Sequence, residues 1–415
     1  MFKKLIIYVV MIVSMMSGCL AEEEQPTLSL SETINNFGWK YFNTLNKDEN
    51  IFYSPYSIAT ALTIVANGAE KQTQEEMLKT LSISSLEDVN LSYKQFRNHV
   101  EKSYRDDGRN LLDSNLILIN SKYAANGINS NYKKIVEDTY KSTVRQADFE
   151  GNLEGEKQKI TKWVSDKTKY FIPNYKSIVT SDTIMDILNV IYFKGDWAKP
   201  FKSKYTKSEP FTNKDTSKVN VEMMYRTFDD ELKYYENDKY KAIALPYKSL
   251  NGNNVAMMYL LLPIESSDVN IADKWNNESM EYKYKFMESI RQTPTFYGKV
   301  CVKLPKFELD IENLIVKNLK SMGIKRAFTN NAEFFNMVND MSLKIGNVNH
   351  RAKIKVEETG TEAAAITEVV MLETTAVADP MPKVIKYFYA NIPFLFVIED
   401  VESNVELFTG VVNKM

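Results

Sequence analysis

The chain has 415 residues, with 52 Lys and Arg against 54 Asp and Glu and a formal charge of −2. So even a balance gives no general attraction to nucleic acid or anionic membranes, and 44% hydrophobic content over this length is ample for a large buried core. Two His (His99, His350) and two Cys (Cys19, Cys301), with no HxxxH or CxxC spacing, offer no zinc site and no support for histidine-centred catalysis.

In chain order, Lys3 and Lys4 precede an apolar run from Leu5 to Met16, too short for an ordinary spanning helix but of secretion-signal length. The run ends in Met16-Ser17-Gly18-Cys19, which resembles a bacterial lipobox. Residues 1–18 then read as a lipoprotein-type signal peptide and Cys19 as the lipidated new N-terminus, with plain cleavage near Ala21 as the alternative. Residues 19–29, with Glu22 to Glu24, read as a short polar tether. Cys301 is the only other thiol, so no internal disulfide is expected, and the Val300-Cys301-Val302 alternation marks it as a small buried hydrophobe.

A helix is predicted over about 30–45, where Ile34, Phe37, Tyr41 and Leu45 recur at helical spacing. Ser54-Pro55 opens a second helix, proline being tolerated in a first turn, with Ile58, Ala61, Leu62 and Val65 on one face. Further helices are predicted over 73–81, 132–143 and 158–171, and 86–110 reads as polar helix by default. Strands are then predicted at 187–193, 219–224, 241–246, 255–262, 300–305, 352–357, 393–399 and 405–411. Helices early, strands late and no βαβ rhythm indicate a mixed α/β (α+β) fold with antiparallel or mixed sheets. No linker-like break divides residues 30–415, so one domain is expected.

Phosphate loops and nucleophile elbows are missing, as GxxxxGK[ST], GxGxxG and GxSxG do not occur. The informative stretch is Glu357 to Pro393. Sorted with a period of two, Thr361, Ala363, Ala365, Thr367, Val369 and Met371 form an uncharged side, while Glu362 and Glu368 fall on the other. Such a segment can lie in a sheet with one face on a core. Yet Thr374 to Pro382, with Asp379-Pro380, reads as loop. A stretch suited to both strand and loop suggests a two-state element. An ordinary strand plus loop, or a surface helix through the alanines, fits the same pattern.

Motifs spaced along residues 30–413 resemble those of the serpin family. They are Asn50-Ile51-Phe52-Tyr53-Ser54-Pro55-Tyr56-Ser57-Ile58 with Gly68-Ala69, and Leu188-Asn189-Val190-Ile191-Tyr192-Phe193-Lys194-Gly195-Asp196-Trp197 with Pro200-Phe201. Leu261-Leu262-Pro263, Leu304-Pro305-Lys306-Phe307, Met322-Gly323-Ile324, Pro393-Phe394, Leu407-Phe408-Thr409-Gly410 and Val412-Asn413 follow in family order.

The resemblance implies three β-sheets, eight to nine helices and an exposed reactive-centre loop, here about residues 358–386, on a metastable single domain. It implies a suicide inhibitor without catalytic machinery, cofactor or metal. A serine or cysteine endopeptidase cuts the loop, and the freed segment inserts into the large sheet and strands the acyl-enzyme. A noninhibitory serpin-fold binding protein, or a plain protease substrate, is the alternative.

By the same resemblance the hinge comprises Glu358, Gly360, Thr361, Glu362, Ala363, Ala364 and Ala365, with Ile366 a departure from the usual small residue. Ser54, Ser57, Asn189 and His350 match the hydrogen-bonded cluster beneath the middle of the large sheet, where strands part. Trp197 and Phe201 match the top of that sheet, which first receives the hinge. Counting from the hinge places the reactive bond at Thr374-Thr375. Counting back from Pro393-Phe394 favours Ala378 or Asp379, and Val377, Met371-Leu372 and Lys383-Val384 stay open. Insertion of Thr359 to Thr374 would span about 53 Å at ~3.3 Å per residue. A small residue at the bond suits an elastase-like or broadly specific target. The expectation is a microbial, secreted protein, a monomer lipid-anchored at the cell surface through Cys19, without nucleic-acid partners.

Overall fold

The computed structural model describes residues 28–106, 109–248, 255–265, 267–338, 343–361 and 383–415. Among them are nine α-helices and three sheets of six, four and seven strands. The first helix, Leu30–Asn43, starts at a capping box in which Ser29 and Glu32 satisfy each other's backbone donors. The second, Pro55–Gly68, is capped by Ser54, carries Pro55 in its first turn and is buried from Pro55 to Ala66, so it runs through the core rather than along it.

Against this helix lies the six-stranded sheet. Its strands Ala256–Pro263, Phe394–Asp400 and Glu406–Val412 are buried at every residue, which is why they read as unbroken apolar runs rather than alternating ones. The four-stranded sheet orders Ile385–Tyr389, Lys299–Pro305, Lys218–Asp229 and Lys207–Thr212. Cys301 lies in it as a buried free thiol.

The seven-stranded sheet carries the site. Its order is Phe307–Leu314, Asn347–Glu357, Gly360–Thr361, Met185–Asp196, Arg109–Asn120 and Arg105–Asp106, with Thr143–Ala147 also paired to Arg109–Asn120. One face joins the main core through Ile117, Ile119, Ile187, Ile191, Val348 and Ile354. The other is covered by the helix Leu153–Lys167, whose Ile160 and Val164 pack on Leu116, Leu118, Leu188 and Val190 in a second, smaller cluster.

Several expectations need correction. The helix predicted over 86–110 ends at Ser103, and Arg109–Asn120 is a strand paired antiparallel to Met185–Asp196 over eleven residues. On its core face, buried Asp113 and Asn115 sit between Leu111 and Ile117, and these polar residues break the apolar pattern that marks a strand. The helix predicted over 132–143 is a single α turn, Ser130–Lys134, continued by a π turn, Ile135–Thr139, before a strand begins at Thr143. The one predicted over 158–171 spans Leu153–Lys167, and positive φ at Lys169 and Tyr170 ends it. The helix Met280–Gln292 went unpredicted because its buried stripe of Lys283, Phe286, Met287 and Ile290 includes a lysine, lying over the Trp39 ring. Strands Lys207–Thr212, Lys233–Glu236, Phe307–Leu314 and Ile385–Tyr389, and helices Ile271–Asn277 and Val316–Met322, also lacked a sequence signal strong enough to read.

Candidate functional site: a seam in the seven-stranded sheet

Two parallel strands define the site. Met185–Asp196 and Asn347–Glu357 pair directly from Asn347 opposite Asp186 up to Ala352 opposite Ile191, and there they part. Into the upper opening comes the chain that turns back after Glu357. Gly360 pairs with Glu357 on one side and Asp196 on the other, and Thr361 with Val356 and Gly195, antiparallel to both neighbours. Two residues of a further strand are thus lodged in the top of the seam.

The local chemistry explains their identity. A Cβ on residue 360 would stand 2.2 Å from the Gly195 carbonyl oxygen, so only glycine fits that close approach. The Thr361 side chain is fully buried, and its hydroxyl lies 2.8 Å from the Tyr247 hydroxyl. Trp197 stacks on Tyr247 with ring centroids 4.6 Å apart. Its indole Nε1–H donates to the Glu357 carbonyl at 3.0 Å, and its backbone N–H to that of Thr359 at 2.8 Å. The Phe201 N–H donates to the Glu358 carbonyl at 2.8 Å. Glu358 is half-buried. Desolvation acts to raise its carboxyl, but the Thr206 hydroxyl at 2.8 Å and the Lys306 ammonium at 3.4 Å prevail and hold it below the usual range. Trp197, Phe201, Glu358, Gly360 and Thr361 therefore meet in one place. Tyr247, Thr206 and Lys306 complete it, and nothing in their own sequence positions announces that contact.

Lower in the seam lies a buried polar network. His350 and Asn189 face each other on one rung, two below the parting. The Ser54 backbone N–H donates to His350 Nε2 at 3.1 Å, so the ring proton resides on Nδ1, which donates to Asn189 Oδ1 at 2.6 Å. Asn189 Nδ2 donates to the Ser57 carbonyl and to Asn115 Oδ1, at 3.1 and 2.7 Å, and Ser54 Oγ donates to the Leu407 carbonyl. Ser57 Oγ donates to Asp113 at 2.6 Å, and Asp113 pairs with Arg97 at 3.0 Å. Burial lowers the His350 imidazole to about 3, so it is neutral at physiological pH. Ser54, Ser57, Asn189 and His350 come together across the seam. Sequence reasoning missed Asp113 and Asn115, whose only signal was a pair of polar residues interrupting an apolar stretch, and Arg97, which gave none.

Glu362, Ala363, Ala364, Ala365, Thr374, Thr375, Val377, Ala378 and Cys19 lie outside the described residues. Lys383 is described, and its ammonium is held by Asp229 and Asp230 at 2.8 and 2.6 Å. Among the described residues no group of His, Cys, Asp and Glu could hold a metal ion, and no helix is long and apolar enough to cross a membrane.

The chain is similar to known proteins over most of its length. The sequence profile of the serpins, described as serine protease inhibitors, matches residues 32–415. A serpin-like protein of Methanosarcina acetivorans is 33% identical over 388 residues, covering 90% of this chain and 83% of its own. Intracellular coagulation inhibitor 2 of Tachypleus tridentatus is 31% identical over 393 residues, covering 93% and 91%. The crystal structure of the thermophilic serpin tengpin in its native state superimposes with a TM-score of 0.80 at 25% identity, covering 93% of this chain and 94% of that one. A mixed α/β fold with three sheets and nine helices among the described residues, a hydrogen-bonded seam and these matches define one class. The chain belongs to the serpin family. At that level its function is serpin-type inhibition directed at a target protease, without an enzymatic activity of its own.

Proposed function

We propose that this protein is a suicide inhibitor of serine or cysteine endopeptidases, trapping the acyl-enzyme by inserting its cleaved loop into the seven-stranded sheet. The observation that carries the reading is the lodged pair Gly360–Thr361, hydrogen-bonded on both sides while the strands below it pair directly with each other. It is the first step of an insertion that the uncut loop cannot complete. The inhibitory name of the Tachypleus relative supports the same direction.

The register of the lodged pair also bears on the reactive bond. Carried downward residue by residue, it brings Thr367 to the His350–Asn189 rung and residue 370 to the Asn347–Asp186 rung, the last on which the two strands pair. Thr374 then falls just past the far end of the sheet, where a protease esterified to it would clear the strands. Ala378 would overshoot by several residues more. We therefore assign the bond to Thr374-Thr375, with the small β-branched threonine suiting an elastase-like pocket. The Lys383 ammonium is already committed to two aspartates, which counts against Lys383-Val384 as bait for a trypsin-like enzyme.

In this reading Glu358 to Ala365 act as hinge, Trp197 and Phe201 receive it, and Ser54, Ser57, Asn189 and His350 hold the closed state. Residues 30–415 act as one monomeric domain displaying the loop at about 358–386. The leader composition supports lipidation at Cys19 and tethering of a secreted microbial protein at the cell surface; mass analysis of the mature N-terminus tests it.

Mixing the protein with elastase-, chymotrypsin-, trypsin- and papain-like proteases tests the central claim. A covalent complex that survives boiling in detergent is expected, with a released peptide beginning at Thr375. A chain that is merely cut, with the protease fully active, would make the protein a substrate.

A further inference from the structure

The two seam strands also meet on the face covered by the helix Leu153–Lys167, away from the His350–Asn189 network. Asp186, on the lowest paired rung, alternates with Leu188 and Val190 and so points to this face, as does Asn349 of the other strand. Both are buried, and Asn349 Nδ2 donates to Asp186 Oδ1 at 3.0 Å across the seam. Asn349 Oδ1 is buried as well and finds no donor among the described residues. Burial pushes the Asp186 carboxyl up to about 7, against the pull of side-chain hydrogen bonds from Asn347 and Asn349.

We infer that Asp186 keeps its proton and shares it with Asn349 Oδ1, closing an acid–amide ring that ties the seam strands together until the proton is lost. The orphaned acceptor is what a neutral acid requires, since a protonated carboxyl has one O–H to donate and an ionised one has none. The charged groups around the pair are already balanced. Arg351, two residues beyond Asn349 on the same face, is held by Asp310 at 2.9 and 3.0 Å and by Glu312 at 3.4 Å. On the covering helix, buried Glu156 pairs with Arg145 and Lys159. In the segment after it, burial pushes the Tyr175 phenol up, so that it stays neutral. Leu118, opposite Asp186 on the remaining neighbour strand, is apolar.

The inference rests on the insertion reading and adds a proton to it. When the strands part, water reaches Asp186, and its acidity returns to that of an ordinary aspartate, about 4. The closed seam therefore holds the proton more tightly than the open one. Opening becomes easier as pH rises from about 4, the proton passing to solvent, and levels off above about 7. The inhibitor is thus locked in acid and released near neutrality.

Uptake of a synthetic peptide of sequence Thr361–Thr374, its three glutamates replaced by glutamine, reads seam opening without a protease. Native electrophoresis follows it at about pH 5.5 and about pH 8. The parent should take up the peptide about tenfold faster at the higher pH, the order that one buried hydrogen-bonded pair is worth. Asp186→Asn keeps an amide pair with Asn349 that carries no titrating proton, so its uptake should stay at the parent's acid rate at both pH values. Asn349→Leu offers no acceptor for the proton. It should be about tenfold faster than the parent in acid and equal to it at the higher pH. If Asp186→Asn melts well below the parent, Asn349→Leu carries the test alone. Carbon-13 NMR of labelled aspartate checks the proton directly, with the Asp186 carboxyl titrating at about 7 and its signal missing from Asp186→Asn. Parent uptake that ignores pH or changes equally in Asp186→Asn, or an Asp186 carboxyl titrating like an ordinary aspartate, overturns the proton lock and leaves the insertion reading intact. No uptake by any form overturns both.

Discussion

Burial lowers the His350 imidazole to about 3, and the Ser54 N–H fixes its proton on Nδ1, where it bridges to Asn189 across the seam. A histidine ordinarily titrates near 6.5, so the unfolded chain takes up a proton where the folded one does not. The stability this residue contributes is whole above about pH 6.5. It is lost at about 1.4 kcal/mol per pH unit as pH falls toward 3. Two buried carboxyls run the other way. Burial raises Glu406 to about 8 and Asp186 to about 7, so their contribution is full at low pH and lost as pH rises through those values. The overall pH profile mixes these, but proton NMR separates the histidines, of which there are two. The His350 ring resonance should stay at its neutral position down to about pH 4. His99, whose pKa is raised chiefly by its hydrogen bond to Asp400, should titrate above 6.5. In the same network, Asp113→Ala removes the buried carboxylate that the Arg97 guanidinium and the Ser57 hydroxyl share. It should cost about 3 kcal/mol, read as a fall in the urea midpoint.

At the scale of the element, the lodged Gly360–Thr361 pair is two residues long and depends on one close approach. Gly360→Val puts a side chain where the Gly195 carbonyl stands, so the tip should leave the sheet. Trp197, hydrogen-bonded to Glu357 and stacked on Tyr247, should report this by a changed fluorescence emission, and inhibition should need more inhibitor per protease. Thr361→Arg places a charge on a fully buried, core-facing position and should stall insertion outright. Proteases should then cut the loop and escape, with the detergent-resistant complex reduced at least tenfold on gels. Of the period-two alternation from Thr361 to Met371, the described residue Thr361 is buried, as its uncharged side requires. The strand Arg109–Asn120 was not legible, because Asp113 and Asn115 occupy core positions to serve a network whose other members lie far away in the chain. Met280–Gln292 was hidden for a related reason, its buried Lys283 being accommodated over a tryptophan from the first helix.

For the whole molecule, the seam strands pair directly over six rungs, and a complete inserted strand would give each of them a new partner. Cleavage at Thr374-Thr375 should therefore raise the melting temperature by roughly 10 °C or more, since each kcal/mol gained moves the transition of a large domain by a few degrees. Scanning calorimetry of intact and nicked protein checks this, and an unchanged or lowered transition would remove the thermodynamic basis of the proposed mechanism. The same experiment on Thr361→Arg should show a smaller gain, since the cut loop there cannot thread past its first buried position.

The amino-acid order by itself determined the family, the buried second helix and most of the central strands. Each is written locally, in short-range periodicity or a proline after a capping serine. The tertiary structure alone decided that Gly360 and Thr361 lodge between two parallel strands, that His350 and Asn189 share a rung, and that Asp113, Arg97 and Tyr247 bear on the seam. Those relations join residues tens to hundreds of positions apart, through hydrogen bonds and ring contacts that leave no periodic trace in the chain.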